Sequence, residues 1–272
     1  ANTTAANNVA IGYNALTANT TGSQNIAVGQ GAMASNTTGT DNCAYGHAAM
    51  GSATNTGSGR NNAFGYEALQ DLTTGTQNQA MGFQAGANLT TGSYNNIMGA
   101  EAMENSTTAS NCVAIGHDSL RQNEGNNNVA IGFQALTANT TGSNSTAVGY
   151  GALDAVTTAS MSTALGYNAG SNVTGVENIC IGGQSGANIT SGTYNITIGG
   201  YAGGYQNAHT GTRNISIGYQ AGTDLTTASY SCIVGYQAGF NITTGNENTI
   251  FGSQAGYSIT TGANNIAIGS NA

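Results

Sequence analysis

The sequence has no proline, no tryptophan and no lysine, and its only basic residues besides histidine are three arginines in 272 residues. A surface that binds nucleic acid needs clustered basic side chains to neutralise phosphates, so the composition excludes that class of partner. The formal net charge is -8, and only 5% of the residues are charged. No apolar run approaches the roughly 20 residues that a transmembrane helix requires, so we predict no membrane insertion of this segment.

Glycine is abundant, with 42 residues, and much of it falls at a fixed spacing. A short motif such as Asn-Val-Ala-Ile-Gly at residues 8–12 recurs along the whole chain, mostly every 17 residues. We call its last residue the closing glycine of a coil. The closing glycines are Gly12, Gly29, Gly46, Gly65, Gly82, Gly99, Gly116, Gly132, Gly149, Gly166, Gly182, Gly199, Gly218, Gly235, Gly252 and Gly269. A period this short and regular predicts a solenoid of stacked coils.

Each coil repeats the same pattern of side chains around one short strand. Asparagine stands four residues before the closing glycine in twelve of the sixteen coils, where stacked amides can bond to each other or to a turn. Alternation places Val9 and Ile11 on one face of the strand and Ala10 on the other. We expect the large side chains, Ile11 and its equivalents Val28, Tyr45, Phe64, Met81, Met98 and Ile268 among them, to form the core. The Ala/Gly face would then be covered by another chain.

These observations predict an all-β fold: a parallel β-solenoid or β-roll of sixteen coils of about 17 residues. We expect a single elongated repeat domain over residues 1–272, forming a segment of a longer fibre. The repeat runs into both termini without distinctive caps, which favours a homo-oligomer: either three chains around an axis, giving a homotrimeric rod, or an end-to-end polymer. The residue four after the closing glycine changes from Leu or Met to Gly in the second half, which predicts a change of coil geometry near residue 160.

Two coils are two residues longer than the rest, and extra residues in a solenoid usually enter turns. Residues 54–59 and 205–209 are therefore expected to protrude, and each segment is followed by an arginine, Arg60 and Arg213. The four cysteines, Cys43, Cys112, Cys180 and Cys232, lie in different coils, and no two are neighbours on adjacent coils. We expect four free, buried thiols that act as small hydrophobic side chains.

No set of residues predicts catalysis, a cofactor or a metal site within one chain. His47 and His117 share a repeat position but lie four coils apart, so only symmetry copies around a trimer axis could bring equivalent histidines together. Glu101 and Asp118 are an acidic pair on adjacent coils, which we interpret as a solvated surface feature. The glycine run at residues 199–204 follows the repeat and precedes no helix pattern, so a phosphate loop is not predicted. We predict that the protein is not an enzyme.

The motifs Asn-Ile-Ala-Val-Gly at residues 25–29 and Asn-Val-Ala-Ile-Gly at 128–132 resemble the head repeats of trimeric autotransporter adhesins and similar repeats in phage tail fibres. The unit here is a few residues longer, through its Thr-Thr-Gly turn. The resemblance implies a trimeric parallel β-roll used for attachment, found outside the cell, at a cell surface or in a virion fibre. Host-surface glycans or proteins would be its partners.

An exposed stripe of aromatic residues after the closing glycines is a candidate surface for stacking on sugars, with packing against the turn or another chain as the alternative. The candidate binding residues are Tyr66, Phe83, Tyr150, Tyr167, Tyr219, Tyr236, Arg60 and Arg213. Three functions are thus open: a structural fibre or attachment shaft, a glycan-binding module, and an ice-binding solenoid. The last is suggested by Thr-Thr pairs such as Thr20-Thr21, of which at most one column can face outward.

Overall fold

A computed structural model of the protein describes residues 4–54 and 59–272. Within these ranges the fold is all-β, with sixteen strands of three residues each and no helix. The strands are β1 Val9–Ile11, β2 Ile26–Val28, β3 Cys43–Tyr45, β4 Asn62–Phe64, β5 Gln79–Met81, β6 Asn96–Met98, β7 Val113–Ile115, β8 Val129–Ile131, β9 Thr146–Val148, β10 Thr163–Leu165, β11 Ile179–Ile181, β12 Ile196–Ile198, β13 Ile215–Ile217, β14 Cys232–Val234, β15 Thr249–Phe251 and β16 Ile266–Ile268.

The chain divides into two compact units, Ala1–Thr141 with β1–β8 and Gly142–Ala272 with β9–β16. Within each unit every strand pairs in parallel with the next strand along the chain. The register joins equivalent repeat positions, as when Val9 faces Ile26 and Ile11 faces Val28. Each unit is therefore a parallel β-solenoid with coils of about 17 residues, which confirms the predicted fold class.

The predicted orientation of the strands was wrong. The central residue of each strand points into the coil: Ala27, Ala44 and Ala63 are fully buried. The large residue before the closing glycine points outward, leaving 60% of Ile11 and 51% of Met81 exposed. A 17-residue coil closes around a narrow interior, which accepts an alanine at this position and leaves the bulkier strand residues outside.

The interior is completed by the residue four after the closing glycine, which we call the fourth position. In eight coils it is Leu or Met, buried and in the left-handed backbone region with φ between +49° and +55°: Leu16, Met33, Met50, Leu69, Met103, Leu120, Leu136 and Leu153. This conformation costs a non-glycine residue roughly 1–2 kcal/mol, and burial of the Leu or Met side chain offsets that cost. In the coils with glycine here, φ is +53° to +65°, so the backbone keeps the same left-handed conformation.

The fourth position and the strand centre that follows it compensate for each other in side-chain volume. Each coil with Leu or Met at the fourth position has Ala at that strand centre, as in Leu69 and Ala80. Where the fourth position is glycine, the centre is a larger residue in every coil except the one with Gly256, as in Gly86 and Ile97. A Cβ added to Gly86 would lie 2.8 Å from Ile97 Cδ1 and 3.0 Å from Leu69 Cδ2. The two positions thus fill one shared space.

The closing glycines adopt φ between +123° and +144° and stack directly on one another. A Cβ on Gly82 would collide with the carbonyl oxygen of Gly99 in the next coil. Both the backbone conformation and the close approach therefore require glycine here.

Buried asparagines form a hydrogen-bonded ladder beside the strands, as predicted. The side-chain oxygen of Asn61 accepts from the backbone N–H of Asn78 at 2.9 Å, and that of Asn78 accepts from Asn95 at 3.0 Å. The side-chain amide of Asn78 also donates to the carbonyl of Gly92 in the turn, at 2.9 Å. The ladder satisfies polar backbone groups that the narrow coil would otherwise bury without partners.

Exchange of interior volume can be tested in the coil that contains Leu69, Leu72 and Ala80. The variant Leu69→Gly should lose about 2–5 kcal/mol of unfolding free energy, less the relieved backbone strain, because it opens a cavity. Ala80→Ile alone should lose about 1–3 kcal/mol by overpacking. The double variant reproduces the neighbouring combination of Gly86, Leu89 and Ile97, so it should recover most of both losses. Denaturant unfolding measures all four proteins, and additive losses would contradict a shared space.

Candidate functional site

The first and third residues of the strands form a continuous outward surface in each unit, which we call the outer sheet face. None of these residues is charged, and most are Ile, Val, Phe, Tyr or Met in the column before the closing glycine. In the unit Ala1–Thr141 this face carries a shallow groove of about 560 Å³. It is lined by Phe64, Met81, Met98 and Ile115 together with the polar side chains of Asn62, Gln79 and Asn96. The exposed apolar column makes this face a candidate interaction site.

The aromatic residues that follow the closing glycines stack on one another along the coil direction. In the first unit His47, Tyr66 and Phe83 form a run with centroid distances of 5.0 Å and 5.2 Å. In the second unit Tyr150 stacks on Tyr167 at 5.4 Å and Tyr219 on Tyr236 at 5.9 Å. Both faces of the Tyr66 ring are therefore covered by neighbouring rings. Since sugars pack on ring faces, the stacking leaves Tyr66 only its edge for a ligand.

In most Thr-Thr turns the first threonine is half-buried and the second is exposed, as the sequence indicated. The hydroxyl of the first threonine donates a hydrogen bond to the next coil, as when Thr73 Oγ1 donates to the carbonyl of Thr90 at 3.0 Å. The second threonine, such as Thr74 or Thr91, is exposed. This column is interrupted at Glu124, where the coil is one residue shorter.

The side chain of Glu124 replaces the hydrogen-bond acceptor that is missing at this interruption. Its carboxylate accepts four hydrogen bonds: from N–H and hydroxyl of Thr107 at 2.8 Å each, and from N–H and hydroxyl of Thr108 at 2.9 Å and 2.7 Å. Partial burial opposes ionisation, but these bonds outweigh it and lower the pKa of Glu124 below its ordinary value. The carboxylate replaces the backbone carbonyl that accepts from this position in regular coils.

Because the folded-state pKa of Glu124 is depressed, the unfolded chain binds the proton more readily. The contribution of the Glu124 carboxylate to the unfolding free energy is therefore present above about pH 4.5 and is lost as the pH falls through the folded-state pKa. At pH 7 Glu124→Gln should cost about 1–2 kcal/mol, since an amide cannot accept at both of its polar atoms. Urea unfolding at pH 7 and pH 3 measures this. A cost as large at pH 3 as at pH 7, or an equal cost for the exposed control Glu247→Gln, would contradict it.

The acidic pair Glu101 and Asp118 belongs to an ion-pair cluster around Arg121. The guanidinium lies 2.7 Å from the Glu104 carboxylate, 3.0 Å from Glu101 and 3.3 Å from Asp118. The two carboxylates thus share one cation at a half-buried surface. This is the geometry of a structural cluster that joins adjacent coils.

The two histidines of the first unit are held at separate places. His47 stacks on Tyr66, and His117 stacks on Phe133 at 5.5 Å with Nδ1 3.0 Å from an Asp118 oxygen. Within residues 4–54 and 59–272, no three His, Cys, Asp or Glu side chains are grouped to hold a metal ion. The prediction of no metal site within one chain remains a prediction.

All four cysteines are free thiols, but only two are buried as expected. Cys112 and Cys180 lie inside the coil, and burial raises the pKa of Cys180 to about 11, so its thiol stays protonated. Cys43 and Cys232 are first residues of β3 and β14, half-buried on the outer sheet face. The expectation failed for these two because the strand orientation is the reverse of the one predicted.

The two long coils were expected to protrude at their extra residues. In the first, residues 55–58 lie outside the described part of the chain. In the second, residues 206–208 are exposed, but His209 turns inward and is fully buried, which the prediction missed. His209 pairs with Ile189 in an isolated parallel bridge and takes the place that Ile189 and Leu225 hold in neighbouring coils. Its Nδ1 has no hydrogen-bond partner, and its Nε2 lies 3.3 Å from the side-chain nitrogen of Asn214.

Burial lowers the pKa of His209 to about 4, against a weaker opposing effect of the Ala228 carbonyl. Between pH 6.5 and 4 the unfolded chain therefore binds a proton that the folded chain does not. The unfolding free energy should fall across this window by about 3 kcal/mol as the pH decreases. Urea unfolding from pH 7.5 to 4 measures this slope.

Two substitutions isolate the proton effect. His209→Leu should flatten the slope and add stability at pH 7, because Leu fits the apolar position. His209→Gln cannot take up a proton and should flatten the slope without that gain. An unchanged slope in both variants would show that other groups cause it.

The sequence-predicted arginines occupy the same repeat position, five residues before the closing glycine, and both are exposed. Arg60 follows the undescribed residues, whereas Arg213 lies between two tyrosines. Its guanidinium carbon is 5.0 Å from the ring centroid of Tyr194 and 5.6 Å from that of Tyr230. Tyr194 and Tyr230 were not among the predicted site residues, although they share the repeat position of Arg213 in the two adjacent coils.

Within the described residues, no helix is long and apolar enough to cross a membrane. No family model matches the chain. A search of curated proteins likewise finds no match. The functional argument therefore depends on the surfaces described above.

Proposed function

We propose that this chain is a non-catalytic, self-associating structural segment of an extracellular fibre or attachment shaft, at a cell surface or in a virion fibre. The observation that carries the proposal is the outer sheet face, which is free of charge and presents an apolar residue before the closing glycine in every coil. The resemblance of the repeat to adhesin heads and phage tail fibres supports the same function.

The partner that fits this face best is a second copy of the same chain. Its side chains stand in rows at the spacing of parallel strands, about 4.8 Å, and an identical solenoid presents rows at the same spacing. Each row of one copy can therefore meet a row of the other along the full face. A globular partner has no such repeat and would match only a few rows.

The absence of charge on this face also favours association. Exposed apolar patches larger than a few hundred Å² are rare on monomers, and a buried charge would oppose their coverage. Tyr45, Phe64, Met81 and Met98 form an adjacent series of large side chains in the first unit. Their burial would contribute about 25 cal/mol for each Å² of apolar surface removed from water. Three copies around an axis would cover the face of every copy, as the resemblance implies.

The proposed assembly predicts a solution mass of three times 27.0 kDa by light scattering. The paired substitution Met81→Arg and Met98→Arg should shift the mass to that of the monomer, because it places charges in the interface. The matched control, Thr74→Arg and Thr91→Arg, adds the same charge to exposed turns of the same two coils and should leave the mass unchanged.

Cys43 and Cys232 provide a second readout on the outer sheet face. Their alkylation by a maleimide should be slow in the assembly and faster in the Met81→Arg, Met98→Arg variant. A wild-type chain that is monomeric at micromolar concentration, with rapidly alkylated Cys43, would overturn the proposal.

A further inference from the structure

Tyr194, Arg213 and Tyr230 form an exposed cluster on three successive coils of the unit Gly142–Ala272. The guanidinium lies between the two rings, and its Nη1 donates to the Tyr230 hydroxyl at 3.1 Å. The two cation–π contacts and this hydrogen bond restrain a normally flexible side chain. We call this group the Tyr-Arg-Tyr cluster.

Arg213 has no carboxylate partner within the described residues, in a protein whose net charge is -8. Arg121, by contrast, binds three carboxylates. The nearest acidic residues at the repeat position of Arg213 are Glu177 and Glu247, each two coils away, or about 10 Å at the spacing of parallel strands. The positive charge is therefore fixed and exposed but not neutralised by the protein.

The guanidinium lies between the two tyrosine rings, is exposed, and uses one of its five N–H groups to donate to the Tyr230 hydroxyl. The other N–H groups form its open recognition surface. Two parallel N–H groups at the edge match a carboxylate in a bidentate arrangement. The Tyr230 hydroxyl accepts from Nη1 and keeps its own proton to donate to a hydroxyl group beside the carboxylate.

We propose that the Tyr-Arg-Tyr cluster binds the carboxylate of an acidic sugar of the uronic acid class. Partly exposed hydroxyl residues precede each member of the cluster, namely Thr193, Thr212 and Ser229. These surroundings suit a ligand with hydroxyls around its carboxylate better than an acidic peptide with apolar side chains. Glu177 and Glu247 on either side disfavour a polyanion and favour a single charge between neutral groups.

Titration of the full-length chain with methyl glucuronide, followed by NMR of the arginine side-chain N–H groups, tests the site. The Arg213 resonances should shift, and methyl glucoside, which lacks the carboxylate, should leave them in place. Arg213→Gln should weaken binding at least about 10-fold, since a charge-assisted bidentate contact is lost. Tyr194→Leu with Tyr230→Leu should also weaken it, because the guanidinium is no longer held.

Arg60→Gln is the matched control, at the same repeat position in the other long coil but between Asp41 and Gln77 instead of two tyrosines. It should bind methyl glucuronide as the wild type does. Absence of any shift at Arg213, or equal weakening by Arg60→Gln, overturns the proposal. Equal binding of N-acetylglycine, a carboxylate without sugar hydroxyls, overturns the saccharide class. The same NMR titration of the Met81→Arg, Met98→Arg variant, which is expected to be monomeric, separates sugar binding from assembly.

Discussion

The in-register hydrogen bonding between successive coils is the constraint on which the rest of each unit depends. It brings equivalent residues of neighbouring coils to the distance between paired strands, so every repeat position becomes a column of like side chains. The closing glycines follow, because the carbonyl of one stacks where the Cβ of another would lie. The asparagine ladder follows as well, since an amide can accept from the coil on one side and donate to a turn carbonyl.

The same constraint explains how the coils tolerate variation. The interior remains packed when Gly replaces Leu at the fourth position, because Ile then replaces Ala at the strand centre. A missing residue is replaced by the carboxylate of Glu124, and two extra residues are accommodated by exposing residues 206–208 while His209 fills the core position. The last two irregularities preserve the backbone stacking, and each has a cost: a carboxylate that must stay ionised at Glu124, and an imidazole that must stay neutral at His209.

The two kinds of surface suggest separate functions. The outer sheet face is uncharged and has an apolar column that repeats in every coil, which suits contact with an identical array of side chains. The Tyr-Arg-Tyr cluster occurs once in its unit and carries a fixed charge, which suits a small anionic ligand. A fibre segment can combine both, because association uses the strand columns and recognition uses a turn column.

The sequence by itself determined the period, the position of all sixteen strands, their parallel stacking and the asparagine ladder, because these depend only on spacing and residue type. It also located Arg60 and Arg213, and an alignment of the coils would have found Tyr194 and Tyr230 beside Arg213. Only the tertiary structure decided which strand face is inside. In residues such as Val9, Ala10 and Ile11 both faces are apolar, so polarity could not choose between them, and the narrow interior of the coil selected alanine. The inward turn of His209 and the capping of Thr107 and Thr108 by Glu124 likewise depended on three-dimensional stacking, because each fills a space that only the adjacent coils define.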